Sequence, residues 1–162
     1  MELLILFISI LIEGFLFAGT GLSIIGIRLD SKNLVFISCI NSLAIYGVRT
    51  FYKIYKIPLG THSFVIILLF IAILKFIGKQ KLSTSIIAIL ISFLLVSVGE
   101  GILMYNVFKV FNITMEDLFD NSFIRLMGTI ISDIPLIIVF IIGYIFKISI
   151  IDINSFSEKE EI

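Results

Sequence analysis

Five ionisable side chains fall where an apolar chain would be expected to exclude them. Glu13, Arg49, Glu100 and Asp133 each interrupt a hydrophobic run, and His62 follows the turn Pro58-Leu59-Gly60-Thr61 at the edge of another. At the centre of a bilayer an unpaired charge costs roughly 2.5–3.5 kcal/mol on insertion scales, so such residues face a partner or a water-filled cavity. Three acids and one guanidinium allow three kinds of chemistry: recognition of a ligand, ion or peptide, carriage of protons or cations, and ion-paired adhesion between helices. The last is weak, since polar contacts between membrane helices average only ~0.6 kcal/mol in double-mutant cycles.

The elements that must position these residues follow from composition. Of the 162 residues 59% are hydrophobic and 15% charged, well above the roughly 45–50% apolar usage of soluble domains, so the chain belongs in a lipid bilayer. Twelve basic residues balance twelve acidic ones, which leaves nothing to attract nucleic acid. Cys39 is the single cysteine. It allows neither a disulfide framework nor a thiolate metal site, and in its apolar run it reads as a small core residue. No GxGxxG, Walker A, HExxH, GxSxG or CxxC pattern occurs. Neither an enzyme activity nor a cofactor is therefore expected.

A spanning helix needs roughly 20 mostly apolar residues, and five segments qualify, at about 3–27, 34–55, 62–76, 84–108 and 123–148. The first carries Glu2 in place of a basic n-region and reads as a retained span. Short loops make consecutive spans antiparallel neighbours. The expected fold is an all-α, polytopic transmembrane bundle forming one domain over 1–150, followed by a short charged tail, 151–162, on the cytoplasmic side. Thr114 followed by Asp117 resembles a capping box, and Met115, Leu118 and Phe119 share a face, which predicts a short interfacial helix near 115–121.

Lysine and arginine near the span ends number seven on the side of Arg28 and Lys79 and five on the side of Lys53 and Lys109. That imbalance places the N-terminus outside and the C-terminus in the cytoplasm. Arg49 and Glu100 each lie about five residues, or ~7.5 Å, past the middle of spans that run in the same direction. Asp133 falls in the same half, Glu13 near the middle and His62 at the rim, so a buried Arg49–Glu100 pair with Glu13 and Asp133 nearby is expected. Ser38, Ser42, Tyr46, Arg49, Lys53 and Lys56 form one stripe of the second span, expected to face the bundle or its outer mouth. Gly14 with Ala18 and Gly19 with Ser23 offer close helix approach, Gly99 and Gly101 flank Glu100, and Pro135 makes a local kink plausible.

Arg49 late in the second span, the Pro58-Leu59-Gly60-Thr61-His62 turn, Glu100 late in the fourth span and Pro135 in the fifth resemble the membrane sensor region of certain bacterial sensor histidine kinases, whose cytoplasmic ATP-binding domain is of the GHKL type. The resemblance implies a cytoplasmic C-terminus and a sensing role for Arg49, Pro58, Gly60, His62 and Glu100. The chain stops at Ile162 without a phosphoacceptor region or ATP-binding boxes, so the kinase activity is not implied and signalling would pass through a separate protein partner. Signal sensing is the leading expectation. A small ion-coupled permease using Glu13, Asp133 and Glu100, and a structural subunit of a membrane complex, are the alternatives.

Overall fold

A computed structural model of the protein describes residues 2–57, 61–114, 117 and 121–149. Its elements are α1 (Glu2–Ile24), α2 (Ser31–Ile54), α3 (Thr61–Phe76), α4 (Leu82–Phe111) and α5 (Ser122–Phe140). The helix α4 contains a π-helical turn at Gly99–Met104, and α5 runs on into a second π-helical turn at Ile141–Ile145. There is no strand among the described residues. Four helices, all but α3, are long and apolar enough to cross a membrane. With 16 residues, α3 extends only ~24 Å against a hydrocarbon core of ~30 Å. The fifth expected span is therefore present as a helix and short as a span.

Each helix stops by the same device. A residue with left-handed backbone follows each one: Gly26, Lys56, Lys79, Asn112 and Lys147, with φ between 50° and 84°. For α1, α2 and α4 the next residue, Ile27, Ile57 or Ile113, donates its N–H to a carbonyl five positions back, at 2.9, 3.1 and 2.9 Å. This is the Schellman arrangement, which satisfies carbonyls left over at a helix end and places an apolar side chain after the turn. Lysine suits three of these positions because its charge complements the negative end of the helix dipole.

The capping box expected at Thr114 is formed. The Thr114 N–H and hydroxyl both donate to one Asp117 carboxylate oxygen at 2.7 Å, and the Asp117 N–H donates back to the hydroxyl at 3.3 Å. Residues 115, 116 and 118–120 of the expected helix, with Met115, Leu118 and Phe119, lie outside the described residues, as do Pro58, Gly60 and the tail from 150 onward. The two Thr114 donors, backbone first, hold the Asp117 carboxyl below the ordinary carboxylate range. A lowered pKa means that the ionised form is favoured by folding, so the cap is fully formed above the unfolded value of ~3.9 and weakens as pH falls through the folded value. Exchange of the Thr114 amide, followed by NMR, should accelerate relative to unstructured amides below about pH 4. Asp117→Asn should remove that pH dependence.

Helix α1 is the hub and contacts α2, α4 and α5, while α3 bridges α2 and α4. The buried apolar core, including Leu22, Ile25, Leu34, Leu74 and Ile89, gathers at the end where α1 and α3 finish and α2 and α4 begin. Small residues let backbones meet there. A side chain at Gly21 would strike the Ala88 carbonyl, one at Gly19 the Phe140 ring, and one at Gly143 the Ser23 hydroxyl. Cross-helix hydrogen bonds reinforce this half: Ser92 to the Phe17 carbonyl at 2.8 Å, Thr20 to the Leu136 carbonyl at 3.2 Å, and Tyr144 to the Leu29 carbonyl at 2.8 Å. At the other end Gly47 and Gly101 have open space around them. The bundle is closed at the first end; at the second, α2 is uncovered from Tyr46 onward while α4 and α5 stay in contact at Gly99 and Ser132.

The outward faces carry Phe36, Leu43, Phe64, Leu68, Leu94 and many other exposed apolar side chains. A shell of that extent far exceeds the apolar patches that soluble monomers leave to water, and lipid tails are its natural cover. Cys39 is half-buried beside a shallow depression that it shares with Lys32 and Phe36, and so does not sit in the core as expected. Its helix face borders the lipid side.

Candidate polar cavity

At the second end lies a cavity of about 200 Å³ lined by Glu13, Arg49, Glu100 and Asp133, together with Met104 and Ser132. Four of the five ionisable residues singled out from sequence thus meet, one each from α1, α2, α4 and α5. They meet because three of them adjoin points where small residues let helices approach. Next to Glu13 is Gly14, where an added side chain would lie 3.2 Å from the Asn41 amide and 3.7 Å from the Ser38 backbone of α2. Next to Glu100 is Gly99, which presses on the backbone of Ser132 of α5. Ser132 itself precedes Asp133. Small residues draw the helices together, and their charged neighbours are carried into one space.

Asp133 is the most enclosed of the four, only 5% exposed. Among the described residues no hydrogen bond or ion pair reaches its carboxylate. Ser132 does not compensate, because its hydroxyl donates to the Gly128 carbonyl at 2.9 Å and also approaches the Met104 sulfur at 3.4 Å. Pro135 lies within α5, which continues through it as helix. Lacking an N–H, Pro135 leaves the Ile131 carbonyl without its usual helical donor.

Arg49 and Glu100 share the cavity, but among the described residues no ion pair of 4 Å or less joins them. Both are exposed, not buried as expected. For Arg49 the reason is that α2 is uncovered at its level. Eleven residues after Ser38 is just over three helical turns, so Arg49 points along nearly the same direction as Ser38, yet Ser38 is fully buried. The stripe on α2 is thus covered at Ser38 and Ser42 and open at Tyr46, Arg49, Lys53 and Lys56. With three carboxylates against one guanidinium, the lining carries formal negative excess. No group of three acids, histidines or cysteines among the described residues is arranged to hold a metal ion.

His62 does not line this cavity. Its ring stands edge-on to Tyr52 with centroids 6.0 Å apart, and the neighbouring Thr61 hydroxyl donates to the Tyr52 hydroxyl at 3.2 Å. The pair ties the start of α3 to the end of α2 at the rim.

Sequence reasoning missed Asn41 and the π-helical turn. Asn41 is 2% exposed, and its side-chain oxygen has no hydrogen-bond partner among the described residues. It belongs to the buried face with Leu34, Ile37, Ser38, Ser42 and Ile45, and a count at the 3–4 residue spacing from Ser38 would have included it. The π turn Gly99–Met104 contains Glu100 and re-aims it by inserting an extra residue into the helical ladder. Such turns cluster at functional sites, and the paired glycines around an acid were the available signal. No family model, curated protein or solved structure matches this chain, so its function is read from the cavity itself.

Proposed function

We propose that the protein is a membrane-embedded signal sensor: the polar cavity receives the stimulus, and the tightly packed half relays it to a separate protein partner. The observation that carries this reading is the convergence of one ionisable residue from each of four helices on a single cavity. Occupancy at such a junction acts on four helices together, and a ligand that prefers one packing shifts the population toward it. The closed half supports sensing over conduction, since beyond the cavity Ala18, Thr20, Leu22, Ser23 and Ala88 are at most 1% exposed. The resemblance to histidine-kinase sensor regions points the same way. With the charge count it implies that the cavity lies in the outer half of a cell membrane, with the tail in the cytoplasm and a kinase-like protein as receiver.

Cys39, the only thiol, lies ten residues from Arg49 on α2, about 15 Å along the helix, and is a native reporter on the outward side of α2 at the level of the packed half. In proteoliposomes, altering the cavity by Glu13→Gln or Asp133→Asn should change its maleimide labelling rate about twofold or more, with no movement of protons or sodium. Ion flux abolished by the same substitutions would replace sensing with transport. Unchanged labelling without flux would reduce the cluster to helix adhesion.

A further inference from the structure

Glu100 and Met104 also form one end of a second space, a groove of about 680 Å³ lined further by Gly101, Tyr105, Phe108 and Lys109. The groove is mainly apolar between its two charged ends. Glu100 and Lys109 are nine residues apart on α4, a separation of ~13 Å along the axis. At 30 residues, α4 is ~45 Å long, longer than the ~30 Å hydrocarbon core, so Lys109 in its last turns reaches the headgroup region.

We infer that cavity and groove together form one site for an elongated zwitterion, with its ammonium among the carboxylates, its apolar body along α4 and its anionic end at Lys109. This rests on the sensing reading and names the ligand class for the same cavity. Two observations carry it beyond an acidic cluster. Asp133 is an enclosed carboxylate that lines the cavity without a hydrogen-bonding partner among the described residues. An organic ammonium, unlike a metal ion, does not require three ligands on one small sphere, and no such triplet is present among the described residues. Charge complementarity sets the polarity: negative excess at the inner end and a lysine at the outer end. Arg49 offsets one of the three carboxylates, and the ammonium of the ligand would offset a second.

The chain has no tryptophan, so Tyr105→Trp introduces a lone indole at an exposed position in the groove wall. With this variant in lipid nanodiscs, 12-aminododecanoate should produce a saturable change in indole emission. Dodecylamine and dodecanoate, each lacking one charged end, should bind at least about tenfold more weakly, the scale of one charge-assisted contact. Asp133→Asn and Lys109→Gln should each weaken 12-aminododecanoate binding. Gly101→Leu should block it, and because the space around Gly101 is open this variant should keep its thermal midpoint, which separates loss of the site from loss of the fold. Equal responses to all three amphiphiles, no saturable response, or binding untouched by Asp133→Asn and Gly101→Leu would overturn the inference. The Cys39 labelling result is independent of it, since a sensor for another ligand would still respond to cavity charge.

Discussion

Gly21→Val should destabilise the protein by about 3 kcal/mol or more, the upper range for forcing volume into a packed interior. The added side chain has nowhere to go, because its first carbon would strike the Ala88 carbonyl and crowd the Ser92 hydroxyl. Backbone, unlike a side chain, cannot turn aside, so α1 and α4 must separate. That separation also breaks the Ser92 hydrogen bond to the Phe17 carbonyl. A thermal midpoint or steric-trapping measurement in bicelles would register the loss. The matched control is Gly47→Ala. A side-chain carbon added there would meet nothing within 4 Å, and the variant should gain about 0.5–1 kcal/mol from helix propensity alone. A neutral Gly21→Val would mean that the closed half is not closed.

The second large effect has the opposite sign. Asp133→Leu should raise stability by about 2 kcal/mol while abolishing the response of Cys39 to cavity charge. An acid held inside a bilayer bundle without a described partner is a stability cost, of order 2.5–3.5 kcal/mol on insertion scales, and replacing enclosed ionic groups by apolar ones is often stabilising. Function is the reason to retain such a residue. Were Asp133 instead an adhesive between helices, the same substitution would lower the midpoint and the sensing reading would lose its strongest support. Thermal midpoints and labelling rates from one set of preparations decide between the two.

The two predictions divide the bundle as its packing does. Where glycines and serines bring backbones into contact, added volume is costly. Where Gly47 and Gly101 face open space, added volume is tolerated and charge dominates. This division also explains which expectations held. Matched depth is a property of helix rise alone, so the meeting of Glu13, Arg49, Glu100 and Asp133 at one level was legible from residue counts. Their pairing was not. Whether Arg49 bonds Glu100 depends on how far α2 and α4 lie apart at that level, and the count places residues along the axes without giving the distance between them. The burial assumed for Arg49 failed on the same ground, since its direction on the helix was right and its cover was missing.

What the sequence by itself determined is therefore everything that depends on one helix at a time: the five helical segments, their apolar character, the depth of each charge and the Thr114–Asp117 cap. Local propensity, periodicity and capping chemistry suffice for these. Only the tertiary structure decided that α2 is covered at Ser38 and Ser42 and open from Tyr46 onward, that Asn41 is enclosed, and that Glu100 lines both a polar cavity and an apolar groove. The reason is that separation between helices is set by pairs of small residues distant in sequence, Gly21 with Ala88, Gly99 with Ser132 and Gly143 with Ser23, and no single segment records which partner it will meet.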